Sequence, residues 1–434
     1  MRETMRGYSR RARLAASRRL SMSNLFEMLA MAYDQATALE LTHPFLPTLL
    51  PRRELSFAQA LQLTNLAAEA LIRGLDLRKG QRVLLLAPEA GETLLLTAAM
   101  IKAGGIAVPL TGFPEGEVLD LLLREGGIQK ALLGSGFFRQ AAPGKADLLR
   151  GREGLRTMPV NRADTGPGEL SLEEACGESS GFFLPYTLKP ASVVLLSLRE
   201  KTNGNPLLVM ATSRALLFPA RFWGPLLPVK AGERCLFLLP PDTPSSHAAA
   251  VLALCAGLRL ETLRYDDPGV ILSQVKAKSP GVLMATARQL LLLAKEASAS
   301  SSLAPVRLWI SVGKLEEASF DLVRECAVRR SRNGEQVLLL EFLSINEAAP
   351  LALFRLSLFG RKPLLRTPFL PVPPHRVKRC PRGLEGGREV AAIRGPAVTP
   401  GWWNDLEASL RAWREGWFYP DAPSGQVSLP GMET

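Results

Sequence analysis

The sequence contains one motif that is associated with a nucleophilic serine. Residues 177–181 read Gly-Glu-Ser-Ser-Gly, the GxSxG pattern. In serine hydrolases this pattern occupies a sharp turn between a strand and a helix, and the turn exposes the serine hydroxyl. Here the preceding residues, SLEEAC, are polar, and the following residues, FFLPYT, do not begin a helix. The sequence therefore does not support hydrolase chemistry at Ser179.

Metal and disulfide chemistry are also poorly supported. The five cysteines form no CxxC pair, and the three histidines, His43, His247 and His375, lie far apart in the sequence. Zinc sites and disulfide frameworks show regular cysteine and histidine spacings. Unpaired cysteines instead indicate a reducing compartment, so we expect a cytoplasmic protein. No run of 18 uncharged apolar residues is present, and no membrane span is predicted.

Positive charge is concentrated at the N-terminus. The chain has a formal net charge of +12, and its first 20 residues carry seven arginines against one acid, Glu3. Such an arm can bind nucleic acid or an anionic membrane surface. A disordered tail, an organelle presequence and a start codon placed upstream of the true start at Met22 explain it equally well. We predict a disordered arm over residues 1–21, and no nucleic-acid partner, because no nucleic-acid-binding motif follows it.

The elements that would position a site alternate between strands and helices. Ser56 and Gln59 form a capping-box pattern at the start of a helix that Gly74 is expected to end. A strand, a helix and a strand follow at residues 82–87, 92–103 and 106–109. This βαβ unit predicts a parallel sheet.

The alternation continues along the chain and then changes. Further helices are predicted at 119–124, 213–222, 248–256 and 287–297, and further strands at 130–133, 193–198, 235–239, 282–284, 308–311 and 337–341. Residues 140–190 are predicted to be irregular. Because 434 residues exceed one compact core, we expect an α/β region over 22–350 and a smaller β-rich subdomain over 351–434.

Residues 57–110 resemble the opening of adenylate-forming (AMP-binding) ligases, the family of acyl-CoA synthetases, luciferases and peptide-synthetase adenylation domains. The segments GLDLRKGQRVLLLAPEAGE and AAMIKAGGIAVPL carry the resemblance. It implies the fold of the large N-terminal domain of these ligases, with parallel sheets flanked by helices and a smaller β subdomain. The sequence ends where the family has a hinge, so we expect the mobile C-terminal domain to be absent.

The family's phosphate loop, YTSGTTGxPKGV, has an eroded counterpart within residues 198–217, between a predicted strand and a predicted helix. Small residues let backbone N–H groups surround phosphates, and a lysine adds positive charge. The resemblance implies nucleotide binding by Thr202, Asn203 and Gly204. Where the family has Thr-Ser-Gly and Lys-Gly, this chain has Arg199-Glu200-Lys201 and Leu207-Leu208.

Two further segments extend the resemblance. Residues 338–349 resemble the family's EfYGxSE segment, which implies nucleotide contacts at Leu343 and Ser344 and a magnesium ligand at Glu347. Leu343 replaces the family's adenine-stacking tyrosine. Residues 387–405 and 415–432 resemble later signatures, which implies ribose binding by Asp421. The four late tryptophans, Trp402, Trp403, Trp413 and Trp417, are expected to pack in the β subdomain core.

Two functions are compatible with this pattern. In the first, the chain is a catalytically impaired relative that binds an acyl group, a nucleotide or a partner protein, and it has no cofactor of its own. In the second, it is an active ATP- and Mg²⁺-dependent acid–thiol ligase. The active ligase would form an acyl-adenylate, pass the acyl group to CoA or a carrier protein, and take its small domain from a separate chain. The several lost loop residues favour the first hypothesis.

Overall fold

The computed structural model describes residues 2–114, 116–140, 144–199, 206–262, 267–297, 303, 305–330, 337–345, 349–359, 363–380 and 390–419. Within these residues three β-sheets of six, ten and four strands are flanked by helices. The two larger sheets are mainly parallel, as the sequence predicts.

The helices are α1 (Arg2–Ala16), α2 (Leu25–Tyr33), α3 (Phe57–Leu75), α4 (Ala90–Lys102), α5 (Gly116–Arg124), α6 (Ser135–Gln140), α7 (Lys145–Arg150), α8 (Leu172–Gly177), α9 (Ser213–Trp223), α10 (Pro244–Cys255), α11 (Pro268–Lys278), α12 (Ala287–Ala297), α13 (Glu317–Arg330) and α14 (Leu406–Ala412). The strands are β1 (Thr37–Glu40), β2 (Glu54–Ser56), β3 (Arg82–Leu86), β4 (Ile106–Leu110), β5 (Lys130–Leu133), β6 (Arg156–Pro159), β7 (Val193–Arg199), β8 (Leu207–Thr212), β9 (Arg234–Phe237), β10 (Arg259–Thr262), β11 (Val282–Thr286), β12 (Leu308–Val312), β13 (Val337–Ile345), β14 (Ala349–Phe359), β15 (Pro363–Arg366), β16 (Leu370–Pro371), β17 (Arg376–Cys380), β18 (Val390–Arg394), β19 (Trp413–Arg414) and β20 (Trp417–Phe418).

The six-stranded sheet confirms the predicted βαβ unit. Its strand order is β6-β5-β3-β4-β7-β8, and β3 pairs in parallel with β4 across α4. Only the pairing of β7 with β8 is antiparallel. Buried aliphatic residues fill both faces of β3 and β4, as expected for a parallel sheet covered by helices.

The ten-stranded sheet has the order β15-β14-β13-β12-β11-β9-β10-β1-β2, with β16 paired to β14. Strands β13, β12, β11, β9, β10 and β1 are parallel neighbours. Because β14 pairs antiparallel with β13, this sheet continues past residue 350, where the sequence predicts a change of subdomain. The four-stranded sheet begins later, at Arg376.

The four-stranded sheet, β17-β18-β20-β19, carries the tryptophan cluster. The ring of Trp402 lies 4.9 Å from that of Trp413 in an edge-to-face arrangement. The ring of Trp413 in turn lies 4.4 Å from that of Phe418, and Trp402 and Phe418 are buried. This confirms core packing of Trp402 and Trp413, whereas Trp403 packs against the core of the six-stranded sheet.

The helix that begins at Ser56 is confirmed, but its predicted end is wrong by two residues. Ser56 and Gln59 cap each other's backbone groups, and α3 runs through Gly74 to Leu75. Asp76 ends the helix in the left-handed conformation. A Cβ on Gly74 would lie 2.6 Å from the Cε atom of Met158, so this glycine permits close packing.

Two segments are more ordered than the sequence predicts. The expected disordered arm is wrong, because α1 occupies most of residues 1–21, and both Leu14 in this helix and Leu20 after it are buried. Arg11 is also buried there, and its Nη1 atom donates to the carbonyl of Leu227 at 2.8 Å. Residues 140–190, predicted to be irregular, contain α7, β6 and α8. A capping box of Ser171 and Glu174 starts α8.

Candidate functional site

The carboxyl ends of four parallel strands lie side by side along one edge of the ten-stranded sheet. Phe237 of β9 pairs with Met284 of β11. Two residues later in β11, Thr286 pairs with Val312 of β12, which in turn pairs with Phe342 of β13. In open α/β sheets, ligands bind in the crevice beyond these carboxyl ends. We refer to this edge, with Ser245, His247 and Ser344 beside it, as the strand-end site.

Ser344 joins β13 to the start of α10. Its Oγ atom lies 2.6 Å from the Oγ atom of Ser245 and accepts a hydrogen bond from the Leu351 backbone N–H at 3.0 Å. Leu351 has a φ of +50°, a conformation that a branched side chain rarely adopts. Such strain costs on the order of 1–3 kcal/mol and concentrates at functional sites. The predicted residue Ser344, in β13, therefore accepts a hydrogen bond from a strained residue of β14.

Leu343 lies next to Ser344 and is half-buried. It pairs with Leu353 in the β13–β14 ladder and packs against the core of the small β subdomain. A leucine side chain supplies an apolar surface but no aromatic ring. The role of Leu343 as an adenine contact stays a prediction. The other predicted site residues, Thr202, Asn203, Gly204, Glu347 and Asp421, lie outside the described residues.

The hairpin that corresponds to the family's phosphate loop is formed by β7 and β8. Arg199 pairs with Leu207, and Leu198 pairs with Leu208, on either side of residues 200–205. Leu207 and Leu208 are both buried. They enter different hydrophobic clusters, Leu207 with Ile393 and Trp402, and Leu208 with core residues of the six-stranded sheet. Neither position can therefore present a cation to a phosphate.

The loop before α10 links the two large sheets, and sequence reasoning did not identify it. Thr111, which follows β4, donates through Oγ1 to the Oδ2 atom of Asp242 at 2.9 Å. Ser197 of β7 donates to the carbonyl of Asp242 at 2.8 Å. Thr243 then caps α10 by accepting from the backbone N–H of Ser246 at 3.2 Å. The Thr-Pro pair at 243–244 was the available sequence signal, because it is typical of a helix start.

His247 is fully enclosed in the first turn of α10. Its Nε2 atom has no hydrogen-bond partner among the described residues. Burial lowers the pKa of His247 to about 4, against a smaller opposing effect of a hydrogen bond with the backbone of Pro241. The imidazole is therefore neutral at physiological pH.

Glu341, which matched the family segment, has a structural role. It forms a bidentate ion pair with Arg355, with N–O distances of 2.6 Å for both contacts. Both side chains are buried, and the backbone N–H of Leu315 also donates to Glu341. The ring of Phe369 lies 4.5 Å from the guanidinium. This pair fastens β13 to β14 below the strand-end site.

Of the residues that the resemblance assigns to a nucleotide and a magnesium ion, the described part of the chain contains Leu343 and Ser344. Within the described residues there is no group of three His, Cys, Asp or Glu residues that could hold a metal. The strand-end site offers serine hydroxyls, but Leu207, Leu208 and Leu343 take the places of the family's lysine, glycine and tyrosine. We therefore derive no reaction step through ATP.

The alternative chemistries weighed from the sequence find no support in the described residues. The helix α8 precedes Ser179, where a nucleophile elbow needs a strand, and the Ser179 hydroxyl donates to the carbonyl of Ala175 at 3.0 Å. Cys176, Cys235, Cys255 and Cys326 are buried, and none of them forms a disulfide with another described residue. No helix in the described part of the chain combines the length and apolar character needed to cross a membrane.

Comparisons with known proteins agree with this geometry. Residues 32–332 match the sequence profile of the AMP-binding enzyme family. A curated relative, the long-chain-fatty-acid–CoA ligase FadD13 of Mycobacterium tuberculosis, is 23% identical over 223 residues. That match covers 49% of this chain and 40% of the relative, so it spans about two fifths of the relative's length.

Solved structures extend the similarity to most of the chain. The anthranilate CoA ligase AuaEII in complex with anthranoyl-AMP superimposes with a TM-score of 0.74 at 17% identity, covering 92% of this chain and 74% of the ligase. ATP-bound MatB from Rhodopseudomonas palustris gives a TM-score of 0.71 at 18% identity, covering 92% and 75%. At these identities the similarity establishes the fold, that of the large N-terminal domain.

Proposed function

Because the chain belongs to the AMP-binding enzyme family, we propose that it is a catalytically impaired member that binds an acyl or nucleotide ligand, or a partner protein, at the strand-end site. The observation that carries this proposal is the burial of Leu207 and Leu208. These residues stand where the family's phosphate loop has lysine and glycine. Their side chains are part of two hydrophobic cores, so no small rearrangement would bring a charged group there.

The physical reason for impairment is electrostatic. Displacement at a phosphate anhydride depends on positioning and on stabilisation of negative charge, and a single preorganised donor contributes about 10²–10³ in rate. Leu207 and Leu208 supply neither charge nor a free backbone approach. In the sequence, Glu200 adds a carboxylate that repels phosphate, while its neighbours Arg199 and Lys201 replace part of the lost positive charge.

A retained binding function is supported by the hydrogen bonds that preserve the site. The contacts of Ser344 with Ser245 and Leu351, and of Asp242 with Thr111 and Ser197, hold the strand ends together. Strained backbone such as that of Leu351 persists only where the surrounding structure holds it. An acyl group would pack against the apolar surroundings and the neutral His247. The hydroxyl groups of Ser245 and Ser344 would donate hydrogen bonds to a nucleotide.

The second candidate is an active ATP-dependent acyl-adenylate-forming ligase. It is favoured by the similarity to structures described as ATP-bound or in complex with an acyl-AMP. In this case CoA or a carrier protein would be the acceptor, Glu347 would hold Mg²⁺, and Asp421 would contact the ribose. A separate chain would supply the small domain.

ATP–pyrophosphate exchange with a panel of carboxylic acids separates the two candidates. We expect exchange no greater than in a reaction without enzyme, because Leu207 replaces the lysine of the family's phosphate loop. Exchange at rates typical of the family, with any acid, would refute the impaired function. The assay is repeated with Ser344→Ala, since an activity that originates at the strand-end site must respond to this change.

Calorimetric titration of Mg²⁺–ATP and of acyl chains without nucleotide tests the binding function itself. Binding of either ligand that weakens in Ser344→Ala, and not in the exposed control Ser273→Ala, supports a ligand-binding role at the strand-end site. If neither ligand binds, the remaining role is a partner-binding surface. Affinity purification with the wild-type chain and Ser344→Ala as matched baits then tests that role.

A further inference from the structure

A cavity lies between the N-terminal arm, residues 185–190 and α9. It has a volume of about 740 Å³. Small-molecule sites have volumes of about 300–1,000 Å³, so the cavity has the size of a ligand site. It meets the start of α9, and its lining does not include Ser245, His247 or Ser344 of the strand-end site.

Four arginines line this cavity, and no described lining residue is acidic. Arg18 and Arg19 come from the arm, and Arg214 and Arg221 come from α9. Within the described part of the chain, the guanidinium groups of Arg18, Arg19 and Arg214 form no ion pair and donate no hydrogen bond. Four guanidinium groups on one cavity repel each other, and this repulsion is relieved when an anion binds among them.

The walls of the cavity are connected to each other. Arg221 donates through Nη2 to the carbonyl of Leu20 at 2.8 Å, and the backbone N–H of Met22 donates to the hydroxyl of Ser213 at 3.1 Å. The backbone N–H of Arg214 donates to the carbonyl of Pro190 at 2.9 Å. The backbone of the arm, of residues 185–190 and of α9 is thus held in place before any ligand arrives, and it presents the exposed side chains of Arg18, Arg19 and Arg214 at the cavity.

Apolar side chains form the rest of the lining. Leu20, Leu217 and Phe218 are buried at the cavity, and Pro185, Pro190 and Tyr186 contribute further apolar surface. A free inorganic anion would leave this surface unused. A ligand with an anionic group and an apolar portion would contact both the arginines and the apolar wall.

We propose that this cavity is a binding site for a phosphate ester that carries an apolar group. Planar guanidinium groups bind phosphate through paired hydrogen bonds, and arginine is the preferred residue for such recognition. The phosphate would lie among Arg18, Arg19 and Arg214, and the apolar group would contact Leu217 and Phe218. The proposal explains why the chain's arginines are concentrated in an arm that is folded against α9. It does not depend on the function of the strand-end site.

Calorimetric titration of the full chain with hexyl phosphate tests the proposal. The critical variant is Arg18→Gln/Arg214→Gln, which removes one unpaired cation from each of two walls. The matched control is Arg52→Gln/Arg53→Gln, which removes two exposed and unpaired arginines elsewhere. Since each charge-assisted hydrogen bond contributes about tenfold in affinity, we expect the critical variant to bind about 100-fold more weakly. The control should bind as the wild type does.

A second titration distinguishes a free phosphate ester from a lipid headgroup. Vesicles of phosphatidylcholine with and without phosphatidylglycerol are mixed with the same three proteins. Binding of hexyl phosphate, or of phosphatidylglycerol vesicles alone, that is lost only in Arg18→Gln/Arg214→Gln supports the cavity as the phosphate site. Failure of the wild type to bind either probe, or equal weakening of both double variants, would overturn the proposal. Unchanged far-UV circular dichroism confirms that the variants fold.

Discussion

Glu92, in the first turn of α4, is predicted to make the stability of the fold depend on pH. The side chain is buried, and its Oε1 atom accepts hydrogen bonds from the Ser135 backbone N–H at 2.9 Å and from its hydroxyl at 3.0 Å. Its Oε2 atom has no partner among the described residues. Burial is the main cause that raises the pKa of Glu92 to about 7, and the nearby carboxylate of Glu89 adds to it.

Because the pKa of Glu92 is raised in the folded state, folding becomes less favourable as the pH rises. The folded state holds the Glu92 proton up to about pH 7, whereas the unfolded chain releases it near the ordinary value of 4.5. The contribution of Glu92 to stability is therefore complete below pH 4.5 and is lost as the pH rises through 7. The difference between the two pKa values corresponds to about 3 kcal/mol.

Glu92→Gln replaces the carboxyl with a neutral group of the same shape, whose oxygen can still accept from Ser135. We expect the variant to match the wild type within about 1 kcal/mol near pH 5, and to be more stable by about 3 kcal/mol near pH 9. Urea unfolding followed by circular dichroism across this range measures the difference. The control is Glu117→Gln, an exposed glutamate on α5. A stability difference that does not change with pH, or that shrinks as the pH rises, would show that Glu92 is not held neutral by burial.

Three further changes test other parts of the structure. Arg355→Met leaves the Glu341 carboxylate buried without its partner and should cost about 3–5 kcal/mol of unfolding free energy in urea titrations. The exposed control Arg411→Met should cost less than about 1 kcal/mol, and equal costs would contradict the buried ion pair. His247 has a lowered pKa of about 4, so the wild type should lose about 3 kcal/mol of stability as the pH falls from 6.5 through 4. His247→Gln should remove that part of the acid sensitivity, and an unchanged acid profile would show that His247 is not kept neutral. Trp402→Ala should cost about 3–5 kcal/mol by opening the aromatic core of the small sheet, and a loss below about 1 kcal/mol would show that the ring is not packed there.

Local patterns in the sequence predicted much of the fold. The capping box at Ser56, the strand over 130–133 and the helix over 287–297 were all identified, because each depends on residues that are close in the chain. The prediction of a disordered arm is wrong because a run of arginines in a sequence is typical of solvent-exposed charge. In the structure, Leu14 of its helix is buried, and the guanidinium of Arg11 donates a hydrogen bond to the carbonyl of Leu227. Such partners are not visible in a local pattern.

The candidate site was predictable in outline and not in its contacts. The resemblance located Leu343 and Ser344 at the end of β13, but the contact between Ser344 and Ser245 joins residues that are 99 positions apart. It depends on the order of strands in the ten-stranded sheet, which periodicity alone does not determine. Glu341 lies in the same segment, and its ion pair with Arg355 is revealed only by the β13–β14 register.

The outer side of β8 has a consequence for the behaviour of the chain in solution. This strand is the last one in the six-stranded sheet, and its free backbone groups face residues 401–404. The Leu208 backbone N–H donates to the side chain of Asn404 at 3.0 Å, and the Trp403 backbone N–H donates to the Leu208 carbonyl at 2.7 Å. If the edge formed by Leu207, Leu208 and Val209 were open, strands of other molecules could pair with its backbone. Residues 401–404 occupy that edge within the same molecule, so we expect them to protect the protein against aggregation.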